Sequence, residues 1–149
     1  MTQTKIRARY GLGIWGLVSS AFGLVFLLGG GAVTYADDSI RMLVSAVILA
    51  AGFIGYFSML YLTREKSNGK ALVRDERDLE IARQANEIAL VAVLVFVFAV
   101  CMALFLGYET AGSLPVGWMW FLAYATACFG LLAQAAATLE LHREMSGNG

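Results

Sequence analysis

The sequence predicts an all-α fold: an integral membrane bundle of four transmembrane helices, the third extended into the cytoplasm as an amphipathic charged segment. Three observations carry this reading. The chain has 149 residues, of which 59% are hydrophobic and only 15% charged, far from the composition of a soluble domain. Its charge is unevenly spread: residues 10–36, 42–63, 88–108 and 110–139 contain no Asp, Glu, Lys or Arg. Each run exceeds the roughly 20 residues needed to cross a bilayer core. Finally, the runs are continuously apolar. Lipid cannot bond backbone N–H and C=O groups, and barrel strands would alternate, so the runs read as helices. The length suits one domain, residues 1–149, with spans near 10–35, 42–63, 86–108 and 114–139 and a cytoplasmic loop at 64–85.

The first run follows the basic stretch "KIRAR". It is too long for a signal-peptide core, so it reads as a retained signal-anchor helix. It is rich in glycine. Gly16 with Ser20, and Ser19 with Gly23, are small residues four apart, a spacing that allows close helix approach within the bundle or along a dimer seam. Gly29, Gly30 and Gly31 are expected to loosen its outer end.

The second run brings Tyr56 and Tyr61 toward a headgroup region. In the third and fourth, Cys101 and Cys128 read as free thiols behaving as small hydrophobes. No Cys-x-x-Cys supports thiol redox chemistry. The fourth run opens on Ser113 and Pro115, and proline near a first helical turn removes a donor that lacks a partner anyway. Trp118 and Trp120 suit the outer interface. Gln134 is expected to make an interhelical hydrogen bond near the cytoplasmic end. His142 reads as a solvated tail residue.

Lysine and arginine in short loops mark the cytoplasmic side. Lys5, Arg7 and Arg9 precede the first run, six basic residues lie between Arg64 and Arg83, and Arg143 follows the fourth. An even number of helices puts all of these on one side. Both termini are therefore expected in the cytoplasm, in an inner (plasma) membrane. Acidic and basic residues number 11 each, so no net field favours nucleic acid. No charge lies midway along any run, where ion-coupled transporters usually need one. No metalloprotease or hydrolase motif is present. The sequence implies no cofactor and no metal site, and the lone His142 makes none by itself.

The charged segment "VRDERDLEIARQANE" stands apart. Asp75 is a plausible N-cap, and Glu76 and Asp78 then oppose the macrodipole in the first turn. At 100° per residue, Ile81, Ala82, Ala85, Ile88 and Ala89 share an apolar side. Glu76, Glu80, Arg83 and Glu87 share the other, with Glu80–Arg83 and Arg83–Glu87 as favourable neighbours. Arg77 and Asp78 turn toward the bundle, and Asn86 flanks it. Asp75, Glu76, Arg77, Asp78, Arg83 and Asn86 are the candidate interaction or packing surface. In the packing reading, Asp78 pairs with Arg74, Arg77 or the N-terminal arm. In the functional one, the surface docks a soluble partner, a lipid headgroup or a cation.

Asp75 to Ala89, "DERDLEIARQANEIA", resembles the hallmark of a bacterial and archaeal membrane family, domain of unknown function 2178. Its members carry Asp-Glu-Arg-Asp or a close variant, then an Ile, then Ala-Asn before a membrane helix. Asp75, Glu76, Arg77, Asp78, Ile81, Ala85 and Asn86 match. The resemblance brings no catalytic residues. It implies a small accessory membrane protein, and the placing of some members beside helix-turn-helix regulators implies regulation or sensing.

The expectation is a small non-enzymatic integral inner-membrane protein. It would be an accessory or regulatory subunit whose charged helix contacts a cytoplasmic partner. The alternative is a small oligomeric transporter or channel. The partners called for are the lipid bilayer, an unknown cytoplasmic protein and further copies of the chain, with no nucleic acid.

Overall fold

In a computed structural model, the structure describes residues 3–28, 30–63 and 76–147, which are helical apart from short turns. These form α1 (Gln3–Leu28), α2 (Ala32–Tyr35), α3 (Ser39–Leu62), α4 (Glu76–Tyr108) and α5 (Gly117–Gly147), and no strand lies among them. All but the one-turn α2 are long and apolar enough to cross a membrane. The expected four spans are thus present, and several boundaries differ.

The first run is not one helix to residue 35. α1 ends at Leu28, and Gly30 (φ 93°) and Gly31 (φ 67°) adopt left-handed backbone before α2 begins. A side chain there would meet the backbone, which is why glycine occupies the break. Asp38 then caps α3. Its carboxylate accepts from the Ile40 and Arg41 amides at 3.1 and 3.2 Å and pairs with Arg41 Nε at 2.8 Å. α4 is an unbroken 33-residue helix, about 50 Å long at 1.5 Å per residue, against a core of about 30 Å. α5 starts just after Pro115, whose carbonyl accepts from Trp118 N at 3.1 Å. It continues well past residue 139, so the expected tail is helical as far as Gly147.

The helices stand in a row rather than around a closed square. α1 and α5 pack together in the middle, α3 flanks α1, and α4 flanks α5. Composition follows position. α4, a flank, is the most apolar span and the least buried; α5, in the centre, is the least apolar and the most buried. A flanking helix meets lipid on most of its surface, so Val91, Leu94, Val95 and Phe98 of α4 lie exposed. Both chain ends lie at what we call the proximal end, and α2 and the α4–α5 turn at the distal end.

Packing is aromatic toward the distal end. Phe22, Phe26, Ala32, Tyr35 and Tyr124 form one buried cluster, with Trp118 and Phe121 against it. Phe22 stacks on Tyr124 with centroids 5.0 Å apart, and Phe26 lies 4.8 Å from Phe121. Trp118 is therefore part of the packing rather than an interface anchor alone, while Trp120 is more exposed. α2 sits so close to α5 that a Cβ on Gly117 would collide with the Ala32 carbonyl. Further along, Trp15, Val18 and Cys128 form a second cluster with Phe53 and Tyr56 of α3 against it. Cys101 and Cys128 are both free thiols, one exposed and one buried.

The small-residue spacing in α1 does not form the helix seam. A Cβ on Gly16 or Gly23 would meet nothing within 4 Å. Ser19 and Ser20 instead donate back to the carbonyls of Trp15 and Gly16. The close approach lies on α3, where a Cβ on Gly52 would come within 2.7 Å of Val18.

Candidate functional site

The site follows from the face α4 turns inward. Ile81 and Ala85 are fully buried and Ala89 nearly so, a four-residue repeat that lays this stripe against the neighbouring helices. Ala82 is half-buried. Ile88, at the edge of the stripe, is 49% exposed and does not join the apolar side as the wheel predicts. It sits where the helix surface turns away from α5.

Asp78 precedes Ile81 by three residues, so its side chain shares the inward face. Asp78 Oδ2 accepts from Thr4 Oγ1 of α1 at 3.2 Å, and Oδ1 lies 3.9 Å from His142 Nε2 of α5. One carboxylate therefore bonds α1 and lies beside a buried histidine of α5. His142 is only 6% exposed, so it is a buried junction residue and not a solvated tail. Two turns further along α4, Asn86 Oδ1 accepts from Gln134 Nε2 at 2.7 Å. The interhelical bond expected of Gln134 is thus present, and its partner is a residue of the charged motif.

Arg7 secures the remaining helix. Its Nε donates to Thr63 Oγ1 at 2.9 Å and its Nη2 to the Thr63 carbonyl at 2.6 Å. Thr63 is the C-cap of α3, where unpaired carbonyls and the negative end of the helix dipole favour a cation. Between these ties lies a cavity of about 120 Å³, bordered by Thr4, Arg7, Tyr56, Ala82, Gln134 and Thr138 among others. All four long helices contribute to it. It has the room and polar lining to hold a few waters, each needing about 30 Å³. Among the described residues, no group of three His, Cys, Asp or Glu side chains could hold a metal ion.

The opposite face of the α4 start is exposed. Arg83 Nε bonds Glu87 Oε1 at 3.1 Å, and Gln84 Nε2 donates to Glu80 Oε1 at 2.9 Å. Glu80 thus pairs with Gln84 and not with Arg83. Such exposed pairs contribute only tenths of a kcal/mol each, about 0.2–0.5 on a helix.

The six candidate residues therefore separate. Asp78 and Asn86 join helices, and Arg83 faces outward. Glu76 and Arg77 lie in the first turn of α4, but their side chains, like Asp75 and Arg74, are outside the described residues. Sequence reasoning missed Thr4, His142 and the Arg7–Thr63 tie. The signal for His142 was present: Gln134, Thr138 and His142 recur every four residues on one face of a long helix.

No curated protein and no solved structure matches the chain. A family model does, that of the predicted membrane protein family DUF2178, over residues 14–145. The match takes in all four spans apart from the first turns of α1, and the Asp78, Asn86, Gln134 and His142 positions with them. The chain belongs to the DUF2178 family of predicted membrane proteins.

Proposed function

We propose that this is a non-enzymatic accessory or regulatory subunit of an inner (plasma) membrane, with its proximal end in the cytoplasm. The outward face of the α4 start would contact a protein partner. One observation carries the reading: α4 extends past the length a bilayer needs, and the extension is two-sided. Its inward residues Asp78, Ile81 and Ala85 are taken up by packing. Glu80, Arg83 and Glu87 form an exposed, charged face that no other helix uses. The cytoplasmic placement is supported by Lys5, Arg7, Arg9 and Arg143, all at the same end.

Site-specific photo-crosslinking in native membranes tests this. A crosslinker replacing Arg83 should trap a discrete protein partner, and one replacing Val95, in the lipid-facing middle of α4, should not. Glu80→Lys with Glu87→Lys should abolish the adduct without changing the thermal stability of the purified protein. Equal trapping at both positions, or none at Arg83, would show that the charged face has no dedicated partner.

A further inference from the structure

The distal half of α4 leaves a cleft against α5 that the proximal junction does not involve. It measures about 550 Å³ and is bordered by Cys101, Phe105, Tyr108, Glu109, Trp118 and Leu122 together with the α4–α5 turn. That volume lies within the range of small-molecule sites, which are mostly apolar with a few placed polar groups. Trp118 Nε1 donates to the Tyr108 hydroxyl at 2.8 Å. The polar atoms of two wall residues thus satisfy each other, and the walls offer ring and hydrocarbon surface.

The charge around the cleft has one sign. Glu109 is exposed at the mouth and makes no ion pair with any described residue. No lysine or arginine borders the cavity. The basic residue of the same end, Arg41, is on α3 and is engaged by Asp38 and by the Thr34 hydroxyl. A carboxylate at the mouth repels an anionic headgroup. It attracts a cation, and aromatic walls such as Phe105 and Tyr108 do likewise when the cation is poorly hydrated.

We propose that this cleft is a binding site for lipophilic monocations, quaternary ammonium or phosphonium compounds with an apolar body. The body occupies the cleft between α4 and α5 and the charge rests beside Glu109. The inference is independent of the partner proposed for the proximal end.

Cys101 provides the readout, because it borders the cleft and is exposed, whereas Cys128 is buried. The full chain carrying Cys128→Ala, purified in a neutral detergent, is treated with a small maleimide. Tetraphenylphosphonium should slow Cys101 labelling at least fivefold at saturation. Tetraphenylborate, of the same shape and opposite charge, should not. Glu109→Gln should raise the phosphonium concentration needed for protection about tenfold. Glu144→Gln, an acidic change at the other end, should leave it unchanged. Equal protection by both ions would reveal a plain apolar groove and overturn the proposal. So would an unaltered response in Glu109→Gln, or protection by added phosphatidylethanolamine but not by the phosphonium.

Discussion

At the distal end, Phe22, Phe26, Tyr35, Tyr124, Trp118 and Phe121 press three helical segments together through ring faces. At the proximal end the four long helices are linked instead by polar side chains: Asp78 bonded to Thr4 and beside His142, Gln134 to Asn86, and Arg7 to Thr63. The materials differ because the constraints do. Within a bilayer, helices gain nothing from hiding apolar groups from lipid, so association rests on close packing. Rings supply large contact at low entropic cost. Near the headgroups water is at hand, and side-chain hydrogen bonds fix register with less energy. The distal end should therefore carry most of the stability, and the proximal end most of the specificity of helix placement.

The strongest challenge to that contrast is at Gly117. Gly117→Val would force α2 off α5, with a loss of about 3 kcal/mol or more, as overpacking a tight contact does. Thermal unfolding in detergent should show the melting temperature falling by many degrees. Phe26→Ala comes next. It removes a ring meeting Tyr35, Trp118 and Phe121, and roughly 2–3 kcal/mol should be lost, at or below the bottom of the soluble-core range because lipid replaces water as the reference.

Asp78→Ala should cost less, about 1–2 kcal/mol, by leaving the Thr4 hydroxyl without its acceptor and removing the carboxylate beside the buried His142. Its more telling effect would be local: limited proteolysis should cut faster near both chain ends, while Asp78→Asn should restore much of the protection. If Asp78→Ala proved more damaging than Phe26→Ala, the assignment of stability to the distal end would be wrong. Gln134→Leu is expected to be mildest, about 0.6 kcal/mol, the average for a hydrogen bond between membrane helices.

The sequence disclosed the spans because a charge-free run of twenty or more residues has few other physical meanings. Three successive glycines pointed to a loosened end of the first span, but not to a helix ending at Leu28 with a separate turn after it. The row could not be read in the same way. In water, an amphipathic stripe reveals which side of a helix is buried. In lipid, Val95 on the outside of α4 and Val18 inside the packing are chemically alike, so the pattern is silent about neighbours. At the junction, the helical period was enough to turn Asp78 inward. It was not enough to find His142, because charge at residues 140, 143 and 144 made the end of α5 resemble a tail. Arg7 was equally hidden: its partner is a helix terminus 56 residues away, and a cap leaves no trace in the sequence of the residue that completes it.

The order of the row bears on how the chain is assembled during synthesis. α1 and α3 are neighbours in sequence and in space, as are α4 and α5, so each pair forms a hairpin as it leaves the translocon. The central contact between α1 and α5 joins residues far apart in the chain and must wait for the last helix to be made. Biogenesis then becomes the docking of two preformed hairpins. A defect at Gly117 or Asp78 would leave every helix inserted and yet the two halves apart, exposed to membrane proteases.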